Sequence, residues 1–299
     1  MARYLLRLAG AGALLIALGS PAPADELKGT LKKANDTGVV TVGYRESSLP
    51  FSYRVQGAKQ PMGYAIDLCR EIVDDISKGI GRPLEIRFTR VTSESRFRAV
   101  TSDEVDLECG STTANTERRK SVDFSPITFV SATKLMVKAG SPVRSYRDLG
   151  GKKVVVTEGT TNEAAVQSIA DRLKLSVTIL KGDDHAASFN MLKAGEADAF
   201  ATDDVLLFGL RAAAGADGKG YTVLPTALSY EPYGIMFRKD DPQLAESVKA
   251  TFVRLAESRE GIWIYDRWFR RRLPTGERLD IPMSDELTHI WEVLGLPPE

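Results

Sequence analysis

Apolar residues recur along this chain in two alternating periods, one suited to strands and the other to helices. GTLKKANDTG reads as a short amphipathic helix stopped by glycine, and VVTVGY at residues 39–44 as a buried strand opening into the polar loop RESSLPFSY. In GYAIDLCREIVDDISKGIG, Ile66, Leu68, Ile72, Val73 and Ile76 sit at near-helical spacing, and Gly79 and Gly81 end the run. LEIRFTRV is a second strand, SESRFRAVTSDEVD a helical stretch, DLECGSTT a strand running into a polar turn, and NTERRKSVDF begins a further segment. A strand, helix, strand, helix register of this kind favours a largely parallel sheet covered by helices.

The pattern restarts at Ser131. ATKLMVKAGSPV is an extended piece, and SYRDLGGKKVVVTEGTTNEAAVQSIADRL a new strand, glycine-rich turn and helix. LSVTILKG, DDHAASFNMLKAGEADAFATDDVLLFGLRAAA and YTVLPTAL continue as strand, helix, strand, helix and strand, which completes a second α/β lobe. EPYGIMFRKDDPQLAESVKATFVRLAESREGIWIYDRWF then reads as a strand and a long amphipathic helix. The apolar face of that helix still needs a sheet, so the chain is expected to return to the first lobe. Crossings near residues 127–133 and 229–233 would form a two-strand hinge. The expected fold class is α/β, with residues 25–130 and 232–299 in one lobe and 131–231 in the other.

The first residues, MARYLLRLAGAGALLIALGSPAPADE, follow neither period. Arg3 and Arg7 precede an apolar run over residues 8–18, and Ala22-Pro23-Ala24 supplies a small-residue cleavage site, so residues 1–24 read as a secretory signal. A run of about 11 residues falls short of the roughly 20 needed to span a bilayer. No cysteine follows it to carry a lipid, and the mature protein is expected to be soluble outside the cytoplasm, in the periplasm.

Charge and cysteine usage narrow the picture. The chain's 40 Lys and Arg residues balance 40 Asp and Glu, which argues against nucleic acid as a partner, because phosphate neutralisation needs a clear basic excess. Cys69 and Cys109 enter an oxidising compartment where a disulfide is chemically possible, and whether they meet stays open. His185 and His289 are the only histidines, without Cys-x-x-Cys or His-x-x-x-His spacing, so no metal site or other cofactor is expected.

The stretches GYRESSLPFSY, TSESR, ECGSTTANTERRK, VVVTEGTTNE, DHAASF, AFATDDVLL and EPYGIMFRKDDPQ follow one another from residue 43 to residue 243. Together they resemble the periplasmic solute-binding proteins of polar amino-acid ABC transporters. ECGSTT followed by ER, with GYRESS upstream, is similar to the branch that takes acidic amino acids. The resemblance implies a two-lobed periplasmic-binding-protein fold of type II, each lobe a mostly parallel sheet flanked by helices. It further implies capture of L-glutamate or L-aspartate by hinge closure, delivery to an ABC transporter permease in the inner membrane, a monomeric state and no catalysis.

A small amino acid is held dry only when its ammonium, its carboxylate and its side chain each find a partner, since an unpaired buried charge is costly. Arginine is the natural carboxylate clamp, because its planar fork makes two parallel charge-assisted bonds and keeps its proton. By resemblance Arg118 matches the arginine that grips the α-carboxylate, although alone in an ERRK run it would be a solvated partner of Glu117. Arg45 and Arg96 match the positions that recognise a side-chain carboxylate. A place at the carboxyl end of a strand supports Arg45 independently, whereas Arg96 at a helix start also reads as a surface residue. Ser93, Ser111, Thr113 and Thr161 lie in turns leading into helices, where hydroxyls serve as N-caps or meet an anion. Ser111 and Thr113 are expected to meet the carboxylate from the first lobe and Thr161 from the second.

Asp203 is matched to the partner of the α-ammonium, with Asp204 beside it as a helix cap. His185 is matched to a position reaching the far end of the ligand, although a lone histidine is ordinarily a structural hydrogen bonder, which is also the reading of His289. Tyr64, Trp263, Tyr265, Trp268, Phe269 and Trp291 are expected in the core. The charge run RWFRRRLP reads as a solvated face or a docking surface. Three rival readings remain: a binding protein for glutamine or asparagine, a receptor whose ligand-bound form reports to a sensor or chemoreceptor, and an enzyme such as a dehydratase on the same fold. Against the enzyme stands the lack of a Gly-x-Ser-x-Gly elbow and of a second catalytic domain.

Overall fold

The computed structural model describes residues 26–297, so the expected secretory signal lies outside the described residues. The chain begins with α1 (Gly29–Thr37) and β1 (Val39–Tyr44), followed by a small hairpin of β2 (Ser47–Ser48) and β3 (Ser52–Tyr53). Next come α2 (Tyr64–Ile80), β4 (Glu85–Arg90), α3 (Arg96–Thr101), β5 (Leu107–Glu108) and β6 (Val122–Phe124). After β7 (Phe129–Ser131) the second half contains β8 (Thr133–Lys138), β9 (Lys152–Thr157), α4 (Asn162–Leu173), β10 (Val177–Gly182), α5 (His185–Ala194), β11 (Ala199–Asp203), α6 (Asp204–Ala213) and β12 (Tyr221–Val223). The chain closes with β13 (Glu231–Tyr233), β14 (Met236–Arg238), α7 (Pro242–Glu257), α8 (Glu260–Phe269) and α9 (Asp285–Val293).

These elements build two five-stranded sheets, each with its own helices, in a two-lobed α/β fold. In the first sheet, of order β4-β1-β5-β14-β6, β1 lies parallel to β4 and β5, and β14 runs against β5 and β6. In the second, of order β10-β9-β11-β8-β12, β9 lies parallel to β10 and β11, and β8 runs against β11 and β12. The sheets are therefore mixed. Each contains one reversed strand, and in both cases it is the strand that follows the passage of the chain from the other sheet. Those passages, β7 and β13, pair antiparallel, with Glu231 opposite Ser131 and Tyr233 opposite Phe129.

The periodic apolar positions of α2 do face inward. Ile66, Leu68, Ile72, Val73 and Ile76 pack with Val40 and Val42 of β1 and with Leu244, Val248 and Phe252 of α7 in the larger core. The second sheet buries Val154 and Val156 against Val166 of α4 and Leu135 of β8. Full burial of such side chains contributes roughly 1.5–3 kcal/mol each. Cys69 on α2 and Cys109, which follows β5, are bonded as a disulfide with Cα atoms 6.4 Å apart.

The stretch expected to be one long C-terminal helix is two. Arg259 adopts left-handed backbone (φ 62°), which a right-handed helix cannot continue, so α7 ends and α8 sets off in a new direction. The new direction turns Tyr265, Trp268 and Phe269 into the core, whereas Trp263, expected there too, is 63% exposed on the opposite face. In RWFRRRLP the arginines are exposed while Trp268, Phe269 and Leu273 are buried, so the run is the solvated side of a packed segment.

Candidate functional site

Arg45 continues the chain from the carboxyl end of β1, and despite its charge it is only 1% exposed. Its Nη2 donates to Ser93 Oγ, while Nη1 is buried without a partner. Ser93 lies in the turn before α3, and its hydroxyl caps no helix. Arg96, the first residue of α3, is 2% exposed, so it is not a surface residue, and its Nε is likewise unpartnered. Arg118 begins a single 3-10 turn after β5, and its neighbour Glu117 pairs with Lys120 instead of with it. Arg118 points inward: Nη1 donates to the carbonyl of Thr113 at 2.9 Å, and its guanidinium lies 4.9 Å from the Phe97 ring. Arg96 stacks on the same ring at 5.3 Å.

The second lobe presses on this cluster. The carbonyl of Gly159, in the turn between β9 and α4, accepts from Arg96 Nη2 at 3.3 Å and from Arg118 Nη2 at 3.4 Å. Gly159 has φ +72°, and a Cβ there would come within 2.6 Å of Glu94 Cα and 2.7 Å of the Ser93 carbonyl oxygen. No larger residue fits between the two turns. His185 opens α5 and is buried, with Nδ1 2.9 Å from Thr157 Oγ1. Asp203 closes β11; Asn162 Nδ2 donates to its Oδ1 at 2.7 Å, and Tyr233 OH donates to Oδ2. Asp204 does not act as a helix cap: its carboxylate takes Ser131 Oγ at 2.7 Å and Lys134 Nζ at 2.8 Å, because α6 begins one residue earlier than a cap at Asp204 would require.

The structure thus gathers Arg45, Ser93, Arg96, Ser111, Thr113, Arg118, Thr161, His185 and Asp203 around the cleft between the lobes. Ser111 Oγ is buried and unpartnered, and Thr161 caps nothing although it holds the N-cap position of α4. Sequence reasoning passed over Glu108, Glu231, Asn162, Thr133 and Tyr233, all buried here. Glu108 Oε2 accepts from Thr112 Oγ1 at 2.6 Å, and its Oε1 has no partner. A Cβ on Gly110 would strike Glu108 Oε1 and Arg45 Cγ, so glycine lets the loop wrap the arginine. The signal that would have found these residues is a buried polar side chain at the carboxyl end of a strand or on a hinge crossing.

Electrostatics mark the cluster as strained by like charge. Burial and the neighbouring Arg96 pull Arg45 and Arg118 down to about 9, and burial lowers Arg96. All three guanidiniums stay charged at neutral pH. Burial, with Arg45 and Arg96 nearby, holds His185 well below its ordinary value and hence neutral. Burial and Glu231 lift Asp203 to about 7. The arrangement favours a molecule carrying negative charge to the arginines and positive charge to the acids. An open surface cavity of about 580 Å³ is lined by Phe208, Arg211, Lys219 and Arg278, none of which belongs to this convergence of buried charge.

Residues 40–271 match the bacterial extracellular solute-binding proteins, family 3. An L-glutamate/L-aspartate-binding protein from Pseudomonas aeruginosa is 41% identical over 90% of this chain and 90% of its own. A glutamate/aspartate import solute-binding protein from Escherichia coli is 36% identical over 88% and 87%. The solved structure of an ancestral arginine-binding protein bound to glutamine is 28% identical and covers 78% of this chain and 99% of its own, with a TM-score of 0.69. Matched over most of its length, the chain belongs to the bacterial extracellular solute-binding proteins, family 3.

Proposed function

We propose that this protein captures L-glutamate or L-aspartate between its lobes and passes it to an ABC transporter permease of the inner membrane, as a periplasmic monomer that performs no chemistry on its ligand. The observation that carries the reading is three arginine side chains, Arg45, Arg96 and Arg118, converging on one interlobe cleft, with Arg45 Nη1 and Arg96 Nε buried and still to be paired. A dicarboxylic ligand supplies the missing anions. Arg118 is assigned to the α-carboxylate, Arg45 and Arg96 with Ser93 and His185 to the side-chain carboxylate, and Asp203 to the α-ammonium. Residues 25–130 and 232–299 form the lobe that binds first, residues 131–231 the lobe that closes, and residues 1–24 the export signal. The two relatives named for glutamate and aspartate support the choice of ligand class.

Isothermal titration of protein stripped of ligand by unfolding and refolding, with L-glutamate, L-aspartate, L-glutamine and L-arginine, tests this. One-to-one binding of the two acidic amino acids is expected, weakened about a hundredfold by Arg118→Ala, since truncating one partner of a buried charge pair costs roughly 2–5 kcal/mol. Binding of a neutral or basic amino acid with silence for both acids would remove the roles given to Arg45 and Arg96.

A further inference from the structure

Glu231 stands on β13, one of the two strands that join the lobes, and is 2% exposed. Its Oε2 accepts from Thr113 Oγ1 and from Thr161 Oγ1, both at 2.7 Å. Its Oε1 accepts from Ser229 Oγ at 2.5 Å and from Thr133 Oγ1 at 3.4 Å. Thr113 belongs to the turn after β5 on the first sheet, and Thr161 to the turn before α4 on the second. A single carboxylate oxygen therefore receives one hydroxyl proton from each lobe.

The direction of those bonds limits what the threonines can do. A hydroxyl has one proton to donate and two lone pairs to offer. Thr113 and Thr161 have given their protons to Glu231, so toward a molecule between the lobes each side chain presents a lone pair. Neither can donate to a ligand carboxylate, which changes the role expected for both hydroxyls. We infer that Glu231 is a positioning residue that fixes the Thr113 and Thr161 hydroxyls as acceptors, so that together with Asp203 they form the seat of the ligand's α-ammonium. This rests on the reading of the cleft as an amino-acid site.

Two further features agree. Asn162 Nδ2 donates to Asp203 Oδ1 and to Thr133 Oγ1, both at 2.7 Å, and Thr133 contacts Glu231, so the two acids are held in one hydrogen-bonded network. An ammonium has three donors and a positive charge, which suits two hydroxyl acceptors flanked by two carboxylates. The carbonyl of Thr113 also accepts from Arg118, so the same residue spaces the ammonium end from the carboxylate clamp.

The test compares L-glutamate with glutarate, the same diacid without the α-amino group, in the wild type and in Glu231→Gln. Gln keeps the shape but removes the charge and places an amide donor opposite the hydroxyls. L-Glutamate is expected to weaken about tenfold or more while glutarate holds or improves, so that the preference for the amino acid shrinks about tenfold. Parallel weakening of both ligands, with the preference retained, overturns the proposal and leaves Glu231 a purely structural hinge residue. If Glu231→Gln does not fold, Thr161→Val removes one acceptor, and the same shrinkage or its absence decides. Should the wild type bind neither acid, the acidic-ligand reading fails alone. The ratio is then read with L-glutamine against glutaramate or L-arginine against 5-guanidinopentanoate, and an unchanged ratio in the variant overturns the inference. Binding of none of these amino acids overturns both.

Discussion

Asp203 carries two opposed demands. Burial and Glu231 lift its carboxyl to about 7, so the free protein holds much of it protonated near neutrality. Because the folded value lies above the usual carboxylate pKa of about 4, the stability this group contributes is fully present below about pH 4 and is lost as pH rises through about 7. The loss amounts to something on the order of 4 kcal/mol. An ammonium favours the ionised form, so binding releases a proton, and affinity for L-glutamate is expected to fall as pH drops below about 7. Asp203→Asn should raise the thermal midpoint of the ligand-free protein, with the gap over wild type widening from pH 5 to pH 8, while binding is lost. A melting series in which the gap stays flat across that range would show that the carboxyl does not ionise there. Asp203 was legible in the sequence as an acid at a strand end. Its company was not, because Asn162 and Tyr233 reach it from 41 and 30 residues away.

Between α2 and β5, the disulfide of Cys69 and Cys109 closes a sequence separation of 40 residues. Cys109 directly follows Glu108 and precedes the Gly110–Thr113 loop that wraps Arg45, so the bond ties this loop to α2, whose apolar face lies in the larger core. A closed loop of that length restricts the unfolded chain by about 4 kcal/mol in the chain-entropy account. The Cys69→Ala/Cys109→Ala variant is therefore expected to lose about 2–4 kcal/mol of unfolding free energy in urea, with a raised m-value because the unfolded chain is freer to expand. A loss below about 1 kcal/mol would mean that the bond only follows a geometry already fixed by packing. At this scale the strands and α2 were readable, because periods of two and 3.6 are local properties of the chain. The break at Arg259 was not: the apolar spacing runs through it, and only the docking of α8 against the core explains the change of direction.

As a whole the molecule is two sheets joined by β7 and β13, and across the cleft Gly159 makes one of the close backbone contacts between the halves. Gly159→Ala would place a methyl on left-handed backbone and against Glu94 and Ser93, so the lobes should stop short of full closure. Small-angle scattering should show wild-type protein contracting on addition of L-glutamate and the variant contracting less, with a weaker affinity and a melting midpoint lowered by the left-handed alanine. Equal contraction in both would place the closing contact elsewhere. By itself the sequence determined the alternation of strands and helices, since that depends on neighbouring residues. Only the tertiary structure decided that one oxygen of Glu231 would take the hydroxyl protons of Thr113 and Thr161, 118 and 70 residues away, and so turn two hydroxyls into acceptors. Hydrogen-bond direction belongs to the partners a fold brings together, and no spacing along the chain records it.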